Sequence, residues 1–538
     1  MNPNKKIILY FVITIFLFNS FSGCIFDDLF SNNKGTTFSM NRWNIVDDNG
    51  FPGLYLNFSC SDRITVEFLD PNNALIDSDY FLGGAQEATL HLSSYGEMIT
   101  PGSYILEVHD KDSKRIYKNS FSFDDSDIII LSCGQKWWKQ NSNNDDYTLV
   151  GLSMMIENSG DTPVYPYTLD LIVDSSFNSG VIIPAIILPG QTQQVNCVIY
   201  KQGVPNENTF NVILKDRYDN VIATGSFSVN TSDIVDVKTF NWKHNNFDWH
   251  LEIPEIDFLF DYYSNLDRPQ SQDYGLYVFD PHDDPYIDLL VDSLMSDFNS
   301  DNDVDKINYA ASFVQARDYI EDSLTDSSYE YPRYPVETLF NGNNGGGDCE
   351  DLAILTAAIL DNMGYNIALI RLPDHMAVGV SLGVNQVPDY EYFTNSYYYL
   401  EATNKNSPVG FIPSEYRSSI DIDVFPISSR ALLIHHWVGN SLTIYTNTDS
   451  GDFVKVTVLM ENLGRTTATN VKVEGAFYTN SVKYNTKSDT ISILEPFTKK
   501  EITLTVTIPK PMKTLFKTRL YLNGEMVDER ESSSTFPV

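Results

Sequence analysis

The chain has 538 residues, with 72 acidic against 36 basic side chains and a net charge of −36 at neutral pH. Phosphate backbones are bound by basic surfaces, so this balance argues against nucleic acid as a partner and disfavours flat docking on an anionic membrane. The length suffices for about three or four cores, and five cysteines are too few for a disulfide scaffold, so each needs its own explanation.

Residues 1–37 carry Lys5 and Lys6 and then an apolar run over 7–18, the layout of a secretory signal and too short to span a membrane comfortably. The run leads to Phe21-Ser22-Gly23-Cys24, which resembles the lipobox of prokaryotic lipoproteins, although its leading Phe replaces the usual Leu. The resemblance implies lipidation of Cys24 and an anchor on the outer face of the cell membrane, with 31–37 as a tether. A conventional cleaved signal is the alternative, and both place the mature protein outside the cytoplasm.

Over 38–125, the runs LYLNFSC, RITVEFLD and PGSYILEVHD alternate apolar and polar residues between turn residues, which predicts a β-sandwich. Two further β blocks, 126–232 and 441–538, look related. Each has a strand ending in Glu-Asn (157–158 and 461–462), a glycine two residues on, a second strand, and a Leu- and Pro-containing turn downstream. An internal repeat is the economical explanation. These blocks resemble the immunoglobulin-like, adhesion-type domains of prokaryotic surface proteins. That implies spacer domains and contacts with other surface proteins.

Residues 235–440 change character. Ile287, Leu290, Val291, Leu294, Met295 and Phe298 recur at helical spacing, and 304–320 reads as a second amphipathic helix. The predicted fold class is therefore multidomain, with β-sandwich, immunoglobulin-like domains flanking an α+β segment.

Within that segment, GGGDCEDLA (345–353) raises the question of its cysteine. The glycines give a turn, Asp348 suits an N-cap, and Leu352, Leu355, Ile359, Leu360 and Met363 form an apolar face that ends at Gly364. Cys349 thus opens a helix, where the dipole favours thiolate, while Asp348, Glu350 and Asp351 oppose it. A base is needed. HMAVGVSL (375–382) alternates so that His375, Ala377, Gly379 and Ser381 share a face, and these small neighbours predict open space before the imidazole. YYYLEAT (397–403) puts Glu401 on one face with Tyr399 and Tyr397, and an antiparallel pairing of the two runs brings Glu401 within reach of His375. A thiol, an imidazole and a carboxylate so placed suit nucleophilic acyl transfer.

GGGDCEDLAILTAAILDNMGY (345–365), LPDHMAVGV (372–380) and YYYLEAT (397–403) resemble the transglutaminase-like branch of the papain-like cysteine enzymes, as do FVQARDYI (313–320) and YPRYPVETL (331–339) upstream. The resemblance implies a papain-like α+β domain over 235–440. In it Cys349 is the nucleophile, His375 the general base and acid, and Glu401 the third member, where an aspartate is usual. Gln315 is the implied oxyanion donor beside the Cys349 backbone N–H. The implied activity acts on amide bonds of proteins or peptides. Transfer to water makes a peptidase or amidase, the expected outcome, and transfer to lysine makes a cross-linking transglutaminase. An adhesion or scaffold protein that has lost activity is the alternative from another class.

Two weaker patterns argue against themselves. Asp297, Asn299, Asp301 and Asp303 alternate as in a calcium loop, but the sixth position lacks glycine and the twelfth is Asn308. No cofactor is expected, calcium being the one alternative. His435 and His436 are neighbours on a predicted strand and face opposite ways, which disfavours a metal. Cys133 and Cys197 lie on predicted strands of one block, either as a disulfide or as two buried thiols.

Overall fold

The computed structural model describes residues 35–536 apart from 125, 140–146, 174, 203, 205–207, 267, 269–272, 323–330, 384–396, 418–421, 439–441, 446–450, 481 and 511–512. The signal run and Cys24 lie outside the described residues. Among the described residues no helix is long and apolar enough to cross a membrane.

In the first block the strands Phe38–Asp48, Phe51–Cys60 and Gly84–His91 make one antiparallel sheet. Leu75–Phe81, Ile64–Leu69, Gly102–Asp110 and Arg115–Phe123 make a second. Alternation along the strands puts Leu54, Leu56 and Phe58 of one sheet into a common core with Val66, Phe68 and Leu106 of the other. The second block differs. Its strands form a single antiparallel sheet of seven, whose two edge strands, Ile128–Lys139 and Val221–Ser228, are drawn together by Gln135. The Gln135 amide donates to Ser228 O (2.9 Å) and its carbonyl accepts the Asn230 N–H (2.9 Å). The last block has two four-stranded sheets around Val454, Val456, Phe477 and Phe516.

The Glu-Asn motifs of the second and last blocks do the same work. Asn158 Nδ2 donates to Thr162 O and Ile187 O at 2.7 and 2.9 Å, and its Oδ1 accepts the Gly160 N–H at 3.0 Å. Asn462 Nδ2 donates to Thr466 O and Leu494 O at 2.9 and 3.2 Å, and its Oδ1 accepts the Gly464 N–H at 3.1 Å. Both side chains are fully buried. Each amide pins a strand end to a turn and to a distant segment, satisfying backbone groups that burial would otherwise orphan.

The middle segment opens with the hairpin Val237–His244/Phe247–Pro254 and continues through helices α1 (Asp257–Asn265), α2 (Asp284–Met295), α3 (Asp303–Gln315), α4 (Pro335–Phe340) and α5 (Cys349–Asn362). A four-stranded antiparallel sheet follows, in the order Tyr398–Leu400, His375–Ser381, Asn366–Leu372, Asp423–Pro426. Helix α5 is buried along most of its length, from Leu352 to Leu360, between the other helices and one face of this sheet.

The expected architecture, sandwich domains flanking a papain-like α+β domain, is not what forms. Strand accounts for 54% and helix for 13% of the described residues, arranged in many small antiparallel sheets with no clear papain-like core among them. The physical reason lies in the packing of the middle segment. Its helices have 6 to 14 residues, and their apolar faces join one core with Trp138, Val150, Ile183 and Val198 of the preceding β block. Helical periodicity in the sequence reports a buried stripe and leaves open which element covers it.

Cys60, Cys133, Cys197 and Cys349 are all free thiols. Cys133 lies opposite Met154, and Cys197 opposite Leu152, on the two sides of the strand Tyr147–Asn158. Two strand spacings alone, about 9.6 Å, separate them laterally, already beyond the roughly 7 Å that a disulfide tolerates between Cα atoms.

Candidate active site

Helix α5 begins at Cys349, and Asp348 is its N-cap. The Asp348 N–H donates to Asp351 Oδ2 (3.3 Å), and Asp351, fully buried, also accepts the Arg333 backbone N–H (2.7 Å) and pairs with the Arg333 guanidinium. Arg333 pairs in turn with Asp322 (2.9 Å). Gly347 sits so close to this carboxylate that a Cβ there would run into Asp351. The glycine therefore lets the chain pass close enough to aim Cys349 away from the buried ion pair.

A two-residue turn, with Asp374 in the left-handed region (φ 56°), pairs Leu372 with His375 and fixes the start of the histidine strand. Next to it Val378 pairs with Leu400 and Gly379 with Tyr399. Continuing that register puts Glu401 beside Ala377, on the His375 face and two residues away, a diagonal that a long side chain crosses. His375 Nε2 meets Glu401 Oε2 at 3.0 Å. The same oxygen accepts the Tyr399 hydroxyl (2.7 Å), while Oε1 accepts the Thr403 N–H (2.9 Å) and hydroxyl (2.6 Å). Burial alone would raise the Glu401 carboxyl, but His375 and Thr403 outweigh it and hold the group down at about 2. Glu401 is thus an ionised carboxylate at neutral pH. The Tyr416 ring lies flat on the imidazole, with centroids 5.1 Å apart and planes 2° from parallel.

The face expected to be open beside His375 is filled. Ile370, Leu372, Ala377 and Tyr399 form a small core there, covered by Ile412, Tyr416 and Ile422. A Cβ at Gly379 would meet Tyr397 Cβ at 3.0 Å and Ile370 Cδ1 at 3.1 Å. The small residues make room for these neighbouring side chains.

The Cys349 thiol is part-buried and donates to Glu350 Oε2 at 3.3 Å. Burial, then the charge and hydrogen bond of Glu350, push the thiol up, and the Met376 backbone N–H, next to His375 in the chain, works against them. At rest the thiol proton is therefore held on the Glu350 side. Nε2 of His375 is the nitrogen engaged by Glu401.

Gln315, the oxyanion donor implied by the resemblance, spends its amide on the backbone. Its side chain is buried at the end of α3, and Nε2 donates to Glu401 O and Ser407 O, both at 2.8 Å. It anchors the backbone that carries Glu401. The backbone N–H of Cys349 is among the helix-opening donors that have no intrahelical partner, and the Met376 backbone N–H also reaches the thiol. The calcium-like stretch has another use: Asn302 caps α3 through the Val304 N–H (2.8 Å), and Asp303 accepts the Tyr365 hydroxyl (3.0 Å). Among the described residues, the carboxylates that converge are those of Asp322, Asp348 and Glu350, one oxygen of each lying within 4.8 Å of the others. Sequence reasoning named Glu350 only as an opponent of the thiolate and passed over Asp322. His435 is buried and bridges Asp528 Oδ2 (2.8 Å) and Thr518 Oγ1 (2.7 Å), both of the last block.

No family model matches the chain, and no curated protein matches it. Among solved structures it is similar to the red sea bream transglutaminase at 9% identity, over 72% of this chain and 80% of that one, with a TM-score of 0.18. It is also similar to the YadV chaperone (12% identity, 36% of this chain, 99% of that one, TM-score 0.13). A third similarity is to the Pseudomonas aeruginosa CupB2 chaperone (10% identity, 36% and 100%, TM-score 0.12). Overlaps this low carry no argument about activity, and the functional reading rests on the side chains around Cys349.

Proposed function

We propose that the chain is a cysteine acyl-transfer enzyme of transglutaminase-like chemistry, acting on amide bonds of proteins or peptides, with water as the usual acceptor. The observation that carries the reading is the His375–Glu401 pair: a buried, ionised carboxylate with four hydrogen-bond donors fixes Nε2 of an imidazole beside the strand residue whose N–H reaches Cys349. Cys349 attacks the carbonyl carbon, His375 takes the thiol proton and returns it to the leaving amine, and Glu401 stabilises the imidazolium. Lysine as acceptor, giving a cross-link, uses the same groups. The signal-like run and Cys24 support export and a lipid anchor on the outer face of the membrane. The β blocks then act as spacers and as contacts with neighbouring surface proteins.

The second reading, an inert binding protein, is favoured by one observation, the thiol proton resting on Glu350. Iodoacetamide labelling of Cys349 across pH 4 to 9 separates the two. Labelling below pH 8 that disappears in Cys349→Ala and slows in His375→Ala supports the enzyme. Labelling that rises only above about pH 8, as for an unperturbed thiol, and ignores His375 supports the inert protein.

A further inference from the structure

Proton transfer from Cys349 requires His375 to keep one ring plane and then to carry a positive charge. The 3.0 Å bond to Glu401 fixes where Nε2 points, but a single hydrogen bond lets a ring turn about the N···O line, and the χ2 torsion of histidine is broad. The Tyr416 ring opposes that turning. It lies parallel to the imidazole, the planes 2° apart and the centroids 5.1 Å apart, which is the offset stack that aromatic pairs favour.

Tyr416 is itself seated by bonds to the elements that build the rest of the site. Its N–H closes a turn onto Pro413 O (3.0 Å), and the segment leading into that turn is tied down at three points. Ser407 O accepts from Gln315 Nε2 (2.8 Å), the Val409 N–H donates to Asn308 Oδ1 (2.7 Å), and the Gly410 N–H donates to Tyr399 O (2.6 Å). Asn308 and Gln315 belong to α3, and Tyr399 precedes Glu401 by two residues. Gln315 also holds Glu401 O (2.8 Å), so one set of anchors places both the carboxylate at the edge of the imidazole and the ring on its face.

The surroundings make an aromatic face matter for charge as well as shape. The His375 and Glu401 side chains are 11% and 0% exposed, so water screens an imidazolium weakly there, and a π face near it is worth more than at an open surface. Burial pushes the Tyr416 phenol up, and the ring therefore stays neutral between pH 4 and 9. The titratable groups acting on it are Glu401, Glu415, Cys349 and Asp374.

We infer that Tyr416 is a positioning residue for the proposed reaction: its ring fixes the plane of the His375 imidazole, and its π face stabilises the imidazolium formed when His375 takes the Cys349 proton. The inference rests on the acyl-transfer reading and deepens it. The proton moves from sulfur to the imidazole, the electron pair stays on sulfur, and Tyr416 exchanges neither.

The test follows iodoacetamide labelling of the full chain from pH 4 to 9, read at the Cys349 peptide by mass spectrometry. Tyr416→Leu keeps apolar bulk and removes the π face. It is expected to slow labelling at pH 6 about tenfold and to raise the midpoint of the pH profile by about one unit, the middle of the range for a cation–π contact. Tyr416→Phe, which restores the face, should stay within about twofold of the native rate and keep the native midpoint. A ring that merely fills space would leave the midpoint unmoved in both. If Tyr416→Leu does not fold, pentafluorophenylalanine at position 416, which keeps the shape of phenylalanine and reverses the polarity of its face, should give the same rise. In a His375→Ala background Tyr416→Leu should slow labelling no further, because the ring acts through the imidazole. A native midpoint in Tyr416→Leu, an equal rise in Tyr416→Phe, or full additivity with His375→Ala overturns the inference. Native-like labelling of His375→Ala overturns the acyl-transfer reading instead, so the two failures are distinguishable.

Discussion

Glu401→Gln changes one atom and, by the geometry, the tautomer of His375. The Thr403 backbone N–H, 2.9 Å from Oε1, is a fixed donor, so the glutamine must present its oxygen there and its NH2 toward His375. The imidazole then has to accept at Nε2 and carry its proton on Nδ1, the nitrogen that must receive the thiol proton. The variant should slow Cys349 alkylation at pH 6 by about 10²-fold, the lower end of a general base's contribution. His375→Ala should slow it equally, and the double variant no further, because one function is lost only once. Stability follows the same carboxylate. Its folded-state value of about 2 lies below the ordinary 4.5, so its contribution is fully present above pH 4.5 and is lost as pH falls through about 2. At 1.36 kcal/mol per pH unit the difference is roughly 3 kcal/mol. Urea unfolding should show Glu401→Gln weaker by that amount at pH 7, the gap closing toward pH 2. Native-like alkylation of Glu401→Gln at pH 6, or a double variant slower than His375→Ala alone, would refute the reasoning.

Three further outcomes are expected. Asn158→Ala and Asn462→Ala each strand two buried carbonyls and a glycine N–H, so each should cost about 2–4 kcal/mol in denaturant unfolding, and a large disparity between them would deny their equivalence. Gly347→Ala pushes a methyl into the Asp351 carboxylate, and a loss of about 3 kcal/mol, with slower Cys349 alkylation, should follow; a neutral effect would mean the Arg333–Asp351 pair does not constrain the turn. Because the described cysteines are free, the thermal midpoint should be the same with and without reductant, and a drop on reduction would reveal a bridge.

The parts of the site that the sequence made legible are those set by short-range rules. Glycines, an N-cap aspartate and a terminal Gly364 bound helix α5 because capping acts within a few residues, and it runs Cys349–Asn362. The reach from His375 to Glu401 followed from alternation on two runs. What failed to show were consequences of packing between distant segments. Small residues at 377 and 379 signal absent bulk, and the bulk that fills the gap, Tyr397 and Ile370, comes from the two neighbouring strands. Gln315 bonds carbonyls 86 and 92 residues away, which no local pattern encodes. That the core of the 235–440 segment includes Trp138 and Ile183 of the preceding block is likewise encoded in no local pattern.

The presence of glutamate at 401, where the resemblance leads one to expect aspartate, has a geometric cause. The register sets residue 401 beside Ala377, so its side chain must run diagonally to His375. Its second oxygen must at the same time turn back to the Thr403 N–H and hydroxyl. An aspartate, one methylene shorter, cannot hold both ends at hydrogen-bond distance from the same Cα. Glu401→Asp should therefore keep the charge and lose one set of bonds. If the carboxylate stays with Thr403, Cys349 alkylation at pH 6 falls toward that of His375→Ala while stability drops by only about 1–2 kcal/mol. Should Glu401→Asp instead match the native chain in both reactivity and stability, the backbone that Gln315 anchors would have to be free to move, contrary to the two 2.8 Å bonds that hold it.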